Sequence, residues 1–131
     1  MNKACFWPCK ILLVDDNRII RHLLRLTFAN DERFIIIEAE NSEEALLIVE
    51  HEHPEVIILD VMMPGGISGF EVCQLVKSKE ENRFCKIILL SARGQQDDLA
   101  QGQEAGADLY IVKPFSPSVL IRQVEELLSR I

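Results

Sequence analysis

Five short apolar runs recur along the chain, at residues 11–14, 34–37, 56–59, 87–90 and 109–112. They are too short for helices, rich in β-branched residues and continuous rather than alternating. That pattern predicts strands buried on both faces, as in a parallel sheet. Between them the apolar residues fall at helical spacing. Ile20, Leu23, Leu24 and Thr27 form one stripe, Ala45, Ile48 and Val49 a second, and Val72, Cys73 and Val76 a third. Leu120, Val124, Leu127, Leu128 and Ile131 form the last. A further helix near residues 97–105 is weaker, because Gly102 lies inside it and only Leu99, Ala100 and Ala105 are apolar.

Boundary residues agree with this division. Asn41 is an N-cap ahead of the acids Glu43 and Glu44, which suit a helix N-terminus. His53-Pro54 stops the second helix, and Ser116-Pro117 reads as an N-cap followed by proline at the first helical position. Five alternating strand–helix pairs imply an α/β three-layer sandwich with right-handed crossovers. The 131 residues suit one domain, and no second domain is expected after the fifth helix.

Charge narrows the function. Fourteen basic residues against 21 acidic ones leave a net charge of -7, which argues against direct contact with a nucleic-acid backbone. No apolar run is long enough to span a bilayer, so no membrane role is expected. Pro8 cuts short the apolar patch at residues 5–7, which therefore does not read as an export signal. A cytoplasmic location is the expectation, with Cys5, Cys9, Cys73 and Cys85 as structural thiols. His51 and His53 read as a solvated helix end rather than a metal pair, His22 as surface, and Phe28 and Phe84 as packing residues.

The chemistry gathers at the carboxyl ends of the runs, where open parallel sheets bind ligands. The first run delivers Asp15 and Asp16, the third Asp60, the fourth Ser91 and the fifth Lys113. Polar residues follow buried strands as a matter of course, and that explains any one of these. It explains poorly why acids, a hydroxyl and an amine all stand directly at strand ends. Crowded carboxylates repel and call for a cation at neutral pH. An all-oxygen set suits Mg²⁺. A carboxylate beside it can accept a phosphoryl group, with the hydroxyl and amine on the phosphoryl oxygens.

These residues carry a family resemblance. Residues 11–16, 58–64, 90–92, 105–108 and 110–115 (ILLVDD, ILDVMMP, LSA, AGAD and YIVKPF) resemble the receiver domain of two-component response regulators. Five such stretches in order and spacing are specific, and they span residue 10 to the end. The resemblance implies a flavodoxin-like five-stranded parallel sheet in the order 2-1-3-4-5. It assigns residues 10–131 to the receiver and residues 1–9, Trp7 included, to an N-terminal extension that matches nothing in the family. It implies Asp60 as phosphoacceptor, and Asp16, Asp60 and the Met62 backbone carbonyl as direct Mg²⁺ ligands, with Asp15 acting through a metal-bound water. Ser91 and Lys113 would bind phosphoryl oxygens, Ser91 and Tyr110 would form the switch pair, and the Lys113-Pro114 bond would be cis. The implied partners are a histidine kinase or histidine phosphotransfer protein, and a downstream output protein or domain.

Two features depart from the family pattern. The loop between Asp60 and Gly69 is one residue longer than the common version and contains Gly65 and Gly66. Leu109 and Gln123 stand where members that dimerise through the last helices carry an acid and an arginine. Rival readings fit less well. A haloacid-dehalogenase-type phosphatase needs an acid where Met62 stands, and a flavodoxin-like electron carrier needs a phosphate loop where Asp15 and Asp16 would repel one. A degenerate receiver, acting as a phosphorylation-independent interaction module, is the remaining alternative.

Overall fold

The structure, a computed structural model, describes residues 8–63, 66–92 and 96–129. Cys5, Trp7, Pro64, Gly65 and Ile131, which figure in the sequence reading, lie outside the described residues. The order is β1 (Cys9–Val14), α1 (Arg18–Phe28), β2 (Phe34–Ala39), α2 (Ser42–Glu52), β3 (Val56–Asp60), α3 (Gly69–Lys77), β4 (Lys86–Ser91), α4 (Gln96–Glu104), β5 (Leu109–Val112) and α5 (Pro117–Leu128). A 3-10 turn, Glu80–Asn82, precedes β4. The strands form one parallel sheet in the order β2-β1-β3-β4-β5, as the resemblance implies.

Alternation along the strands builds two cores. Leu12, Ile57, Leu59, Ile87 and Leu89 face α2 and α3. Their neighbours Ile11, Leu13, Ile58, Ile88 and Leu90 face α1 and α5, where Leu24, Phe28, Leu120 and Val124 meet them. Period-two side chains explain why the middles of the central strands are apolar throughout, since both faces are covered. Polar residues stand only at or next to the strand ends, as Lys10, Asp60, Lys86 and Ser91 do.

Several expectations are corrected. β2 and β5 are edge strands, so they are only partly buried, and Ile35 and Val112 are exposed. The buried stripe of α1 runs through Leu24 and Phe28, while Leu23 is exposed. Phe28 packs edge-on against Phe34, but Phe84 is exposed beneath the Arg83 guanidinium. Ser116 is the N-cap residue of α5 with Pro117 opening the helix, as expected, but its side chain makes no capping bond. β1 begins at Cys9, which is fully buried, so the sheet starts within the stretch assigned to the extension.

Asn41 caps α2 by accepting from the Glu44 backbone N–H, and His53 ends it in the left-handed conformation before Pro54. At the sheet end opposite the acids, Asp108 Oδ2 accepts from Lys77 Nζ at 2.8 Å and from the Ile87 backbone N–H at 2.7 Å. Lys77 Nζ also donates to the Cys85 carbonyl at 2.7 Å, tying α3 to the starts of β4 and β5. Asp108→Ala leaves a part-buried ammonium and a backbone N–H without this acceptor. It should cost about 2 kcal/mol, read as a lower urea midpoint at unchanged slope. A wild-type midpoint would refute this role.

Candidate active site

The parallel register assembles the site. Val14 pairs with Leu59 and Asp60 with Leu90, so Asp15 emerges beside Asp60 and Ser91 one residue further along. The Lys113 backbone N–H donates to the Ser91 carbonyl at 2.7 Å, which seats β5 against β4 at the same end. Asp15, Asp16 and Asp60 each offer a carboxylate oxygen, and these oxygens lie within 4.8 Å of one another. Asp15 and Asp60 are buried and Asp16 is exposed. Lys113 Nζ lies 3.2 Å from Asp15 Oδ2 and 3.6 Å from Asp60 Oδ1. The Lys113-Pro114 peptide bond is cis. Ser91 is fully buried.

Local bonds fix these acids. Asp15 Oδ1 accepts from the Asn17 backbone N–H at 2.8 Å, and the Asn17 side chain in turn caps α1 by accepting from Ile19 and Ile20. The Met62 backbone N–H points at Asp60 Oδ1 over 3.4 Å. Burial pushes the Asp60 carboxyl up to about 6, and the Asp15 charge adds to it. Lys113 and the Met62 N–H oppose the rise, and Asp16 reinforces it. A divalent cation relieves that repulsion, and the clustered oxygen-only donor set fits a hard ion such as Mg²⁺.

Two glycines matter through close approach. A Cβ on Gly69 would stand 2.4 Å from the Asp60 carbonyl oxygen and 2.8 Å from Val61 Cα. The Gly69 N–H donates to the Val61 carbonyl at 3.0 Å, so the start of α3 lies directly on the end of β3. In α4, a Cβ on Gly102 would meet Tyr110 Cδ2 at 2.9 Å. Gly102 weakens a helix, as its propensity suggests, but it also makes room for the half-buried Tyr110 ring.

Sequence reasoning missed Gly69 and also the capping box at Ser68. The Ser-x-x-Glu pattern of Ser68 and Glu71 was the available signal.

Comparison with known proteins agrees with this geometry. Residues 11–125 match the family described as the response regulator receiver domain. The transcriptional regulatory protein ResD of Bacillus subtilis is 45% identical over 121 residues, covering 92% of this chain and 48% of ResD. The phosphate regulon transcriptional regulatory protein PhoB of Pseudomonas aeruginosa is 38% identical over 92% of this chain and 52% of its own length. This chain thus spans about half the length of these curated relatives. The solved structure of the chemotaxis response regulator CheY4 of Vibrio cholerae superposes with a TM-score of 0.83 at 29% identity, covering 91% of this chain and 98% of that one. No helix among the described residues is long and apolar enough to cross a membrane. With its sheet order, its acid cluster and a family match over most of its length, the chain belongs to the response regulator receiver domains.

Proposed function

We propose that the chain takes a phosphoryl group onto Asp60 from the phosphohistidine of a histidine kinase or phosphotransfer protein. The observation that carries this reading is the buried Asp60 carboxylate, grouped with Asp15 and Asp16 and faced by Lys113. An Asp60 oxygen forms a bond to phosphorus, the bond from phosphorus to the donor nitrogen breaks, and the electron pair stays on the departing imidazole. The product is an acyl phosphate, whose added charge Lys113 and Ser91 meet as donors. In the same reading Asp16, Asp60 and the Met62 carbonyl hold Mg²⁺ directly and Asp15 through water. When bound, the ion supplies positive charge against the crowded oxygens.

The donor's approach is supported by α1, which flanks the site. Ile19 (71% exposed), Leu23 (46%) and Leu26 (56%) present apolar surface there. An apolar groove between Leu23, Leu26, Phe115 and Pro117 reaches Lys113. A donor helix can bury that surface while delivering its histidine. Within the proposal, Ser91 and Tyr110 couple the phosphoryl group to the surface of α4, β5 and α5. The output is a downstream protein or an attached domain, with no nucleic-acid contact by this chain itself. The assignment of residues 10–131 to the receiver, drawn back to Cys9 where β1 begins, and the cytoplasmic location belong to the same reading.

Acetyl phosphate with Mg²⁺ tests it. Wild type should gain one hydroxylamine-sensitive phosphoryl group by intact-mass analysis, and Asp60→Asn none. No labelling of wild type favours the interaction-module alternative, and equal labelling of both removes Asp60 as the acceptor.

A further inference from the structure

Arg21 lies on α1 one turn inside the helix, with its side chain only 11% exposed. Its Nη1 donates to the backbone carbonyl of Asp15 at 2.7 Å, and its Nε donates to Glu38 Oε1 on β2 at 3.2 Å. The other end of the Asp15 backbone is also tied, because its N–H donates to the Ala39 carbonyl at 3.3 Å. The carbonyl that Arg21 holds belongs to the peptide joining Asp15 to Asp16. Its orientation sets where the Asp16 carboxylate starts. Asp16 is the exposed member of the acid cluster, so packing does little to hold it. Glu38 is shared with Arg25, whose Nε lies 2.6 Å from Oε2. Burial opposes ionisation of Glu38, but Arg25 and Arg21 hold its carboxyl below the usual range. The anchor is therefore an ionised carboxylate gripping a planar fork, which Lys cannot reproduce.

We infer that Arg21 is a positioning residue of the acid cluster: through the Asp15 carbonyl it fixes the Asp15–Asp16 peptide in the geometry that binds the divalent cation. The inference rests on the proposed Mg²⁺ site and adds a residue to it. Two opposite effects separate this role from a purely electrostatic one. Removing a cation near three acids, by charge alone, tightens Mg²⁺ binding. Losing the carbonyl tether loosens it, and hydrogen bonds behind metal ligands are typically worth about 10-fold or more in affinity.

The test is an Mg²⁺ titration followed through the Asp16 amide by NMR, on wild type, Arg21→Gln, Arg21→Lys and Arg25→Gln. Arg25→Gln weakens the same Glu38 anchor without touching Asp15. Expected are a Kd raised about 10-fold in Arg21→Gln and about threefold in Arg21→Lys. Arg25→Gln should stay within about twofold on the same reasoning. In metal-free protein, the Asp15 carbonyl ¹³C resonance should move in both Arg21 variants and stay in Arg25→Gln. If Arg21→Gln does not fold, Arg21→Lys decides by the same two readouts. Unchanged or tighter binding by the Arg21 variants, or equal weakening in Arg25→Gln, overturns the inference while leaving the Mg²⁺ site intact. A wild type that binds no Mg²⁺ overturns the site, and the inference falls with it.

Discussion

Asp60→Asn should melt higher than wild type in metal-free buffer at neutral pH. The Asp60 carboxyl titrates at about 6 in the folded chain, well above an ordinary aspartate, chiefly because it is buried and then because Asp15 is charged beside it. The folded state therefore holds this proton more tightly than the unfolded state. Below pH about 4 both states are protonated and the group costs nothing. As pH rises from about 4 to about 6 the unfolded chain ionises first, and stability falls; above that the penalty is complete. After allowance for solvent screening, the penalty is about 2 kcal/mol. Asn removes the charge at nearly constant shape, so the gain at pH 7.5 should be about 5–10 °C for a domain of this size. At pH 4 the two proteins should melt together. Saturating Mg²⁺ should raise wild type more than Asp60→Asn, since binding to the folded state alone adds stability. A lower melting temperature for Asp60→Asn at pH 7.5 would contradict this account of the site's electrostatics.

Gly69→Ala should carry the largest penalty of any single-methyl change near the site. The new Cβ would meet the Asp60 carbonyl oxygen at 2.4 Å and Val61 Cα at 2.8 Å, both backbone atoms that cannot rotate away. Either α3 lifts off β3, stretching the 3.0 Å bond from Gly69 N–H to the Val61 carbonyl, or the end of β3 moves with Asp60 on it. Overpacking of this kind costs about 1–3 kcal/mol and more where backbone must shift. Gly69 is the first residue of α3, so the helix propensity gained by replacing it is less than the roughly 1 kcal/mol of a helix interior and offsets only a small part of that. The expected result is a net loss of about 2 kcal/mol in urea unfolding, with chemical shifts of Asp60 and Val61 displaced. A variant as stable as wild type, with these resonances unmoved, would show that the close approach is relaxed at no cost.

The division of the site between legible and illegible parts follows from range. Asp15, Asp16, Asp60, Ser91 and Lys113 were visible because each stands at the end of a continuous apolar run, and a parallel sheet brings such ends together by construction. The cap at Asn41 and the stop at His53-Pro54 were visible because capping is decided within a few residues. Ser116 shows the limit of that logic: the residue type suits a cap, yet its side chain makes no capping bond.

What the chain determined by itself is periodicity and order: five continuous apolar runs, five helical stretches, and the acids, hydroxyl and amine at one edge. Local sterics and the continuity of apolar residues suffice for that. The apolar runs by themselves do not say which strands are edges; the resemblance implied it through the strand order, and the sheet shows its consequence, with Ile35 and Val112 exposed although their runs read like the central ones. Tertiary structure decided that the inner face of α1 is Leu24 and Phe28 rather than Leu23, because helix rotation answers to the sheet beneath and not to spacing. It also brought Arg21 to the Asp15 carbonyl and Gly69 to the Asp60 carbonyl. Those contacts depend on how closely a helix lies on a strand end. That distance is set by the packing of whole layers and leaves no periodic trace in the residues themselves.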